Sequence, residues 1–269
     1  KFSIYFCNSC RNGFTYPTPK HIIEEYYHND YWTSSGFLGN IKDIIFDIFQ
    51  RRRVSLVTKT ILKGIILDVG SGEGKFGTAL PQTYKVVSIE PAGSKVKNKS
   101  VIKKDFLEWK IDQKFDAVTF WESLEHTPYP QKYLEKAYRL LNNKGKIFIE
   151  FPRYNCFESK LFGKNWFHLD LPRHLAHFTD KGVILLLKRS GFENVNIKSV
   201  FSCEYAPWGI TVSLLNSINL RATSHIKKSG NLLLFIVLVP ITFLSFILEI
   251  VLLLMNQSPI ALAVAEKNE

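Results

Sequence analysis

A short stretch in the first third of the chain has residue types and spacing suited to binding a nucleotide-like ligand. An apolar run at 65–67 leads to Asp68, and Gly70 and Gly72 follow at once. Glycines let the backbone turn tightly and approach a ligand where a Cβ would clash. A helix predicted at 75–80 would point its free N–H groups into the same crevice. This order of strand, acid, turn and helix is typical of a cofactor site in a wound α/β sheet.

Acidic residues also follow the next two predicted strands. The strand at 84–89 ends at Glu90, whose carboxylate can accept hydrogen bonds from both hydroxyls of a ribose. A short strand at 100–103 leads to Asp105 and Phe106, an acid and an aromatic ring suited to the edge and the face of an adenine. We therefore predict that Glu90 holds a ribose and that Asp105 and Phe106 hold an adenine.

Candidate acid–base residues follow a further strand, predicted at 115–120. Glu122, Glu125 and His126 leave it at the carboxyl edge of the sheet, where open α/β sheets bind their ligands. Histidine titrates near neutral pH, so His126 is the first candidate for a general base. Two carboxylates and an imidazole are also an incomplete ligand set for a divalent cation. We favour a role in shaping the cofactor pocket, with Glu122 against the cofactor, and assign no metal.

A second candidate cluster lies in the segment 166–178, which is rich in aromatic and basic residues. An irregular segment of this composition usually binds something or closes a site. Arg173 and His174 are the predicted acceptor-facing groups, and His174 is the second candidate for the base. We expect His168 and His177 to cap and anchor the segment instead.

Taken in order, these motifs resemble the class I S-adenosylmethionine-dependent methyltransferases, from about Arg51 onwards. The resemblance implies an α/β fold with a seven-stranded doubly wound sheet whose last strand is antiparallel. It also implies S-adenosylmethionine as the cofactor and methyl transfer as the reaction. Asp68, Gly70 and Gly72 would then shape the methionine end of the pocket.

The Glu-x-x-Glu-His pattern resembles that of the quinone-biosynthesis O-methyltransferases, in which these positions can hold a divalent cation. The segment 166–178 resembles one that covers the acceptor side of the cleft in a related, uncharacterised subfamily. These likenesses imply methylation of a small or lipid-like acceptor at oxygen. Two alternatives stay open. One is a non-catalytic, membrane-associated protein that keeps the fold. The other is a nicotinamide-dependent oxidoreductase that uses Gly72, Gly74 and Gly77.

Composition fits one α/β domain with additions. A chain of 269 residues that is 46% hydrophobic and 22% charged can bury a core. Its net charge is +11, but no dense basic tract is interleaved with aromatic residues, so we expect no nucleic acid partner. An anionic membrane surface attracts such a protein equally well. Four cysteines without regular spacing favour a reducing cytoplasm, with the inner face of the membrane as a further location.

We divide the chain into an N-terminal arm at 1–40, a methyltransferase core at 41–202, an apolar helical insertion at 203–258 and the last strand at 259–269. In the arm, Cys7 and Cys10 resemble half of a zinc ribbon. A second C-x-x-C pair is absent from this sequence, so we expect the two thiols to pack as small apolar groups.

The apolar tract at 232–255 contains a single charged residue, Glu249, and exceeds the roughly 20 residues that a membrane-spanning helix needs. Pro240 predicts a kink or a split into two short helices. The strand predicted at 260–266 must return to the sheet beside 192–199, so both ends of the tract would lie on one side. We therefore predict contact with a membrane surface without crossing, as a shallow helical hairpin. A buried or dimer-forming helix pair is the alternative.

Overall fold

The computed structural model describes residues 2–19, 37–201, 206–218 and 232–268. In the helices that begin at 37, 206 and 232, it describes side chains only from 47, 208 and 238 onwards. The predicted boundary between the core and the insertion, at 202–203, lies outside the described residues.

The strands are β1 Ser3–Phe6, β2 Gly13–Tyr16, β3 Gly64–Val69, β4 Tyr84–Glu90, β5 Ile102–Lys103, β6 Phe115–Trp121, β7 Leu141–Pro152, β8 Ala176–His177, β9 Phe192–Ser199 and β10 Ile260–Lys267. The helices are α1 Phe37–Thr58, α2 Lys75–Ala79, α3 Pro130–Leu140, α4 Phe157–Phe162, α5 Asp180–Arg189, α6 Ala206–Ser217 and α7 Leu232–Leu254.

Seven strands form one sheet, in the order β5-β4-β3-β6-β7-β10-β9. The strands from β5 to β7 are parallel, whereas β10 runs antiparallel to both of its neighbours, β7 and β9. The predicted fold class is confirmed, including the antiparallel last strand. The nicotinamide alternative depended on a parallel strand at that place, so the topology contradicts it.

Apolar layers cover both faces of the sheet. The strand β6 is almost entirely buried, as expected for a central parallel strand with helices on both faces. On one face, Leu134 of α3 and Leu187 of α5 join the larger core cluster. On the other face, Val57 of α1 and Phe76 of α2 belong to a second cluster. These layers fix the carboxyl ends of β3, β4 and β6 at one edge.

A smaller sheet, in the order β1-β2-β8, joins the arm to the acceptor-side segment. The turn between β1 and β2 carries Cys7 and Cys10, and the backbone N–H of Cys10 donates a hydrogen bond to Cys7 Sγ at 3.4 Å. Because β2 pairs with β8, the hairpin lies against the segment 166–178 that the sequence analysis assigned to the acceptor side.

The apolar tract forms one continuous helix, α7, which contains Pro240. The predicted split at this proline is therefore wrong. A proline removes one backbone hydrogen bond and bends a helix, but the turns on either side keep their own bonds. The antiparallel partner of the tract is α6, so the helix pair forms between α6 and α7 and not within the tract. Among the side chains described, no helix is both long and apolar enough to cross a membrane.

Arg153 holds three parts of the fold together at the end of β7. Its side chain is 2% exposed, pairs with Asp180 at the start of α5, and donates to Ser199 Oγ in β9 and to the carbonyl of Asn256 ahead of β10. A buried guanidinium needs such partners because an unpaired buried charge is strongly destabilising.

We predict that Arg153→Met lowers the free energy of unfolding by about 3 kcal/mol, because the substitution removes the buried guanidinium that Asp180, Ser199 and the Asn256 carbonyl share as a hydrogen-bond donor. The matched control is Lys198→Met, at an exposed position of β9, which should change it by less than about 0.5 kcal/mol. Urea denaturation of both variants measures the difference. Equal stability of the two variants would contradict the anchoring role.

Candidate active site

The turn after β3 needs glycine at its first position. Gly70 has a φ of 73° and Gly72 a φ of 55°, in the left-handed region that favours glycine. A Cβ on Gly70 would lie 2.4 Å from the Cβ of Ser123, which itself donates a hydrogen bond to the Val69 carbonyl at 2.7 Å. The turn is thus pressed against the segment that follows β6, and its backbone lines the crevice at the carboxyl edge of the sheet.

Asp68 is buried directly beneath this turn. Its Oδ1 accepts a hydrogen bond from Thr119 Oγ1 at 2.8 Å, while Oδ2 has no hydrogen-bond partner among the described residues. Burial raises the pKa of Asp68 to about 7, because the charged form loses its hydration. A buried acceptor oxygen without a donor fits the ammonium group of a ligand.

Glu90 lies at the end of β4 beside the turn. Its Oε1 accepts a hydrogen bond from the backbone N–H of Gly72 at 2.5 Å, and burial raises the pKa of its carboxyl. The acid predicted to hold a ribose is therefore attached to the glycine turn. Its role as a ribose contact stays a prediction.

The two residues assigned to an adenine have different surroundings. Asp105 is exposed, and its Oδ1 accepts a hydrogen bond from the backbone N–H of Leu107 at 2.8 Å. Phe106 is only 4% exposed, and its ring packs against those of Phe120 and Tyr133. This packing makes Phe106 a core residue with little ring surface left for an adenine. Asp105 stays a predicted adenine contact.

The two candidate bases are far apart in the sequence but lie side by side in the structure. The ring centroids of His126 and His174 are 4.8 Å apart. Each Nδ1 is 2.9 Å from a backbone carbonyl, that of Arg173 for His126 and that of His168 for His174. A carbonyl can only accept, so each Nδ1 carries the hydrogen and Nε2 is the basic nitrogen of the neutral ring.

Both imidazoles are neutral at pH 7. Burial lowers the pKa of His126, although the Arg173 carbonyl and Asp170 act in the opposite direction. Burial, with the neighbouring His126 and His177, lowers the pKa of His174 well below its usual value. Neutral imidazoles can accept a proton, as a general base must.

Glu125 completes this cluster. Its carboxyl is 1% exposed, its oxygens have no hydrogen-bond partner among the other described residues, and burial raises its pKa to about 8. The ligand atoms of Glu125, His126 and His174 lie within 4.8 Å of one another, so these three side chains could hold a metal ion. Glu122, the first acid of the sequence motif, instead faces Arg53, with Oε2 3.9 Å from Nη2.

An ion pair that was not predicted from the sequence lies over the same edge of the sheet. Glu150 of β7 is completely buried, and its carboxylate oxygens lie 2.5 Å from Nη2 of Arg52 and 2.7 Å from Nη2 of Arg53. Burial alone raises the pKa of Glu150, but the two guanidinium groups outweigh it and hold the pKa below the usual value. Arg53 also stacks on Phe49, 3.9 Å from the ring centroid. A charged residue inside an apolar strand was the signal that could have revealed this pair.

The remaining histidines anchor the acceptor-side segment. Thr15 Oγ1 donates to the His174 carbonyl at 2.6 Å and lies 2.9 Å from Nε2 of His177, so β2 holds the backbone beside the cluster. Burial lowers the pKa of His168 to about 3 and that of His177 to about 4, so both are neutral supports.

A seven-stranded sheet with an antiparallel last strand, a glycine turn after β3 and acids at the ends of β3 and β4 define a class I methyltransferase. The sequence model of the methyltransferase domain family matches residues 42–197, which is more than half of the chain. The chain therefore belongs to this family, and it is an S-adenosylmethionine-dependent methyltransferase.

Individual relatives support the same assignment. An uncharacterised protein of Methanocaldococcus jannaschii is 28% identical over 155 residues, covering 55% of this chain and 74% of that protein. A methyltransferase structure from Archaeoglobus fulgidus has a TM-score of 0.55 at 17% identity, over 86% of this chain and 100% of that chain. Phosphoethanolamine N-methyltransferase 2 of Haemonchus contortus, with S-adenosylmethionine bound, has a TM-score of 0.54 at 13% identity, over 96% and 63%. At these identities the two structures establish the fold alone.

The residues at the carboxyl edge fit the cofactor. The partnerless Oδ2 of Asp68 suits the ammonium of its methionine part, and the turn at Gly70 leaves the space that a Cβ would fill. When bound, S-adenosylmethionine supplies a methyl group on a sulfonium.

We predict that Glu90→Ala weakens cofactor binding by about tenfold to a hundredfold, because hydrogen bonds to a charged acceptor contribute about 1.5–3 kcal/mol. Glu90→Gln keeps an acceptor for the Gly72 N–H and separates loss of charge from loss of the turn. Calorimetric titration measures all affinities, with exposed Glu108→Ala as the matched control. Affinity equal to the wild type in Glu90→Ala would remove Glu90 from the ribose site.

A second prediction concerns pH. The pKa of Asp68 is about 7 in the folded protein against 3.8 as its ordinary value, so the folded state binds the proton more tightly. This contribution to stability is therefore lost progressively as the pH rises from about 4 to about 7. Asp68→Asn keeps the acceptor for Thr119 and cannot ionise, so its stability relative to the wild type should grow over this range. Urea denaturation without cofactor, as a function of pH, tests this, and a constant difference would contradict the buried acid.

Proposed function

We propose that the protein transfers the methyl group to a hydroxyl oxygen of a small or lipid-like acceptor, in the cytoplasm. The observation that carries this proposal is the pair of neutral imidazoles, His126 and His174, at the carboxyl edge of the sheet. A hydroxyl becomes a good nucleophile only as it loses its proton, so a methyltransferase that acts on oxygen benefits from a base beside the acceptor.

His126 is the better placed of the two. It follows β6 directly, like the ligand-binding residues at the ends of strands in open α/β sheets, and it is half-buried. Its Nδ1 is held by the Arg173 carbonyl, so Nε2 is the nitrogen that receives the acceptor proton. The new positive charge would lie beside the Glu125 carboxyl, whose ligand atom is within 4.8 Å of those of His126 and His174.

His174 is the second candidate, in contact with the first. Its Nε2 is 3.7 Å from Oδ2 of Asp170, a carboxylate that favours a protonated imidazole. Because the two rings are in edge-to-face contact, either one could receive the proton while the other holds its neighbour in place by packing. Methyl transfer itself then requires only that the chain hold the acceptor oxygen in line with the methyl group.

The lipid-like character of the acceptor is supported by what surrounds the acceptor side. The segment 166–178 packs against α6, where the backbone N–H of Phe167 donates to Ser213 Oγ at 2.9 Å. Beyond α6 lies the apolar helix α7. An amphipathic acceptor would place its hydroxyl at the histidines and its apolar part along these helices.

The experiment that tests the function is incubation of the protein with isotope-labelled S-adenosylmethionine and with cell extracts separated into lipids and polar metabolites. Mass spectrometry then finds the labelled product and the atom that carries the methyl group. A product methylated at nitrogen or carbon would contradict the proposal. Cofactor binding with no labelled product in any fraction would favour the non-catalytic alternative.

We predict that His126→Gln or His174→Gln, whichever removes the base, lowers the turnover number by roughly 10²–10⁴ and leaves cofactor affinity intact. His177→Gln is the matched control, since that ring is buried against Thr15 and should affect turnover little. Wild-type turnover in both variants would contradict a histidine base. A parallel assay with a chelator distinguishes proton transfer to imidazole from metal activation through the same three side chains.

The same assignment predicts the pH profile. The base must be neutral, and burial lowers the pKa of both imidazoles, so activity should persist below pH 6.5 and fall only at more acidic pH. Initial rates measured against pH with saturating cofactor test this expectation. An acidic limb near or above pH 6.5 would point to an exposed base elsewhere.

A further inference from the structure

The helix α7 has its apolar and polar residues on the opposite sides from those expected of a helix surrounded by water. Its outward side chains are large and apolar, with Phe243 at 63%, Ile247 at 45% and Leu254 at 82% exposure. Its inward side carries its one charged residue, Glu249, and Ser245, at 1% and 4% exposure. A helix on a water-covered surface directs its polar residues outward. This arrangement instead matches a helix whose outer face meets an apolar medium.

Both inward polar side chains have a hydrogen-bond partner within the protein, although Oε2 of Glu249 has none among the described residues. Ser258 Oγ donates to Oε1 of Glu249 at 2.9 Å, and burial raises the pKa of Glu249 to about 7. Ser245 Oγ lies 3.2 Å from Thr211 Oγ1 of α6. Hydroxyl pairs between helices are a common feature of helices in apolar surroundings.

The exposed apolar surface continues from α7 onto its neighbours. Trp208 and Ile218 of α6, at 39% and 58% exposure, and Leu161 of α4, at 59%, extend it, because α6 packs against both α4 and α7. We name this surface, formed by the outward side chains of α4, α6 and α7, the apolar patch. An exposed surface with this many large apolar side chains marks an interaction site.

Positive charge borders the apolar patch. Lys160 and Lys164, at the end of α4 and just beyond it, are exposed. The sequence 219–231, which joins α6 to α7, contains Arg221, Lys227 and Lys228 and no acidic residue. An apolar face with a basic border is complementary to anionic lipid headgroups.

We propose that the apolar patch docks the protein onto an anionic lipid bilayer, with the outward side chains of α7 in the interface. The net charge favours a bilayer over a second copy of the chain as the partner, because a charge of +11 repels another copy and attracts an anionic surface. The aromatic side chains Trp208, Phe243 and Phe246 suit the boundary between headgroups and acyl chains.

Docking in this orientation places the acceptor-side segment beside the lipid. A Cβ on Gly209 of α6 would lie 3.2 Å from Nε2 of His168, and the His168 carbonyl accepts the hydrogen bond from Nδ1 of His174. A single residue, His168, thus lies between α6, which meets the bilayer, and the candidate base His174. This last step rests on the proposed function, since it gives an acceptor dissolved in the bilayer a short route to the histidines.

The test is flotation of the full chain with vesicles of phosphatidylcholine, alone and mixed with phosphatidylglycerol. The wild type should float with the mixed vesicles and far less with the neutral ones. Phe243→Ser combined with Ile247→Ser should lower the partition coefficient by about tenfold or more, because two apolar side chains no longer leave water. Leu62→Ser, which changes an 87% exposed leucine outside the patch, is the matched control and should bind like the wild type.

A second pair of variants tests the charges. Lys160→Glu with Lys164→Glu should weaken binding to the mixed vesicles, whereas Lys97→Glu with Lys99→Glu, at exposed positions elsewhere, should weaken it less. Cofactor affinity checks the fold of each variant.

No vesicle binding by the wild type, or equal binding by the Phe243 and Ile247 variant, would overturn the proposal. So would dimers in light scattering that this variant abolishes, since they assign the patch to a second copy. Vesicle binding needs no turnover. A failure to bind vesicles would therefore leave the proposed reaction untouched, and a failure of the reaction would leave the docking proposal untouched.

Discussion

The buried ion pair between Glu150 and the arginines of α1 is the interaction on which the arrangement of the cleft depends. Glu150 lies at the end of a central strand with no exposure, and it stays charged only because Arg52 and Arg53 reach it. The pair therefore fixes α1 over the carboxyl edge of the sheet. Arg53 also lowers the pKa values of Asp68 and Glu125, but by less than their burial raises them. Those two acids keep raised pKa values and remain available to a ligand or a proton.

The titratable groups of the cleft are buried, so water does not stabilise their charged forms. Carboxyls at the ends of β3 and β6 prefer to be protonated, and the imidazoles between β6 and β8 prefer to be neutral. A bound cation such as a sulfonium or an ammonium reverses the balance for the acids, because an opposite charge favours their ionised form. The predicted contact of Asp68 with the cofactor would therefore couple cofactor binding to the protonation of Asp68, and burial also favours the neutral histidines that can accept a proton.

Local sequence patterns predicted the parts of this structure that depend on a few adjacent residues. Asp68 with Gly70 and Gly72 defines a strand end and a turn whose backbone only glycine adopts easily, so this strand end and turn could be predicted from the sequence. The sequence predicted only that His126 and His174 lie on the cleft side. Their contact could not be predicted, because it depends on a loop that folds back over the edge of the sheet. The core position of the Phe106 ring was not predicted, because an aromatic residue after a strand suits a core as well as a ligand. The continuity of α7 through Pro240 and its contact with α6 were not predicted, because a proline within an apolar tract is compatible with a kink, a split or a continuous helix.

The place of β10 has a consequence for how the protein is made. It follows every other strand of the large sheet in the sequence, yet it lies between β7 and β9. During synthesis on the ribosome, those two strands are complete well before the segment that pairs with both of them emerges. Until then each presents an open edge that could pair with another chain. The nascent protein should therefore rely on chaperones or on slow translation of its last part, more than a sheet built strictly in sequence order would.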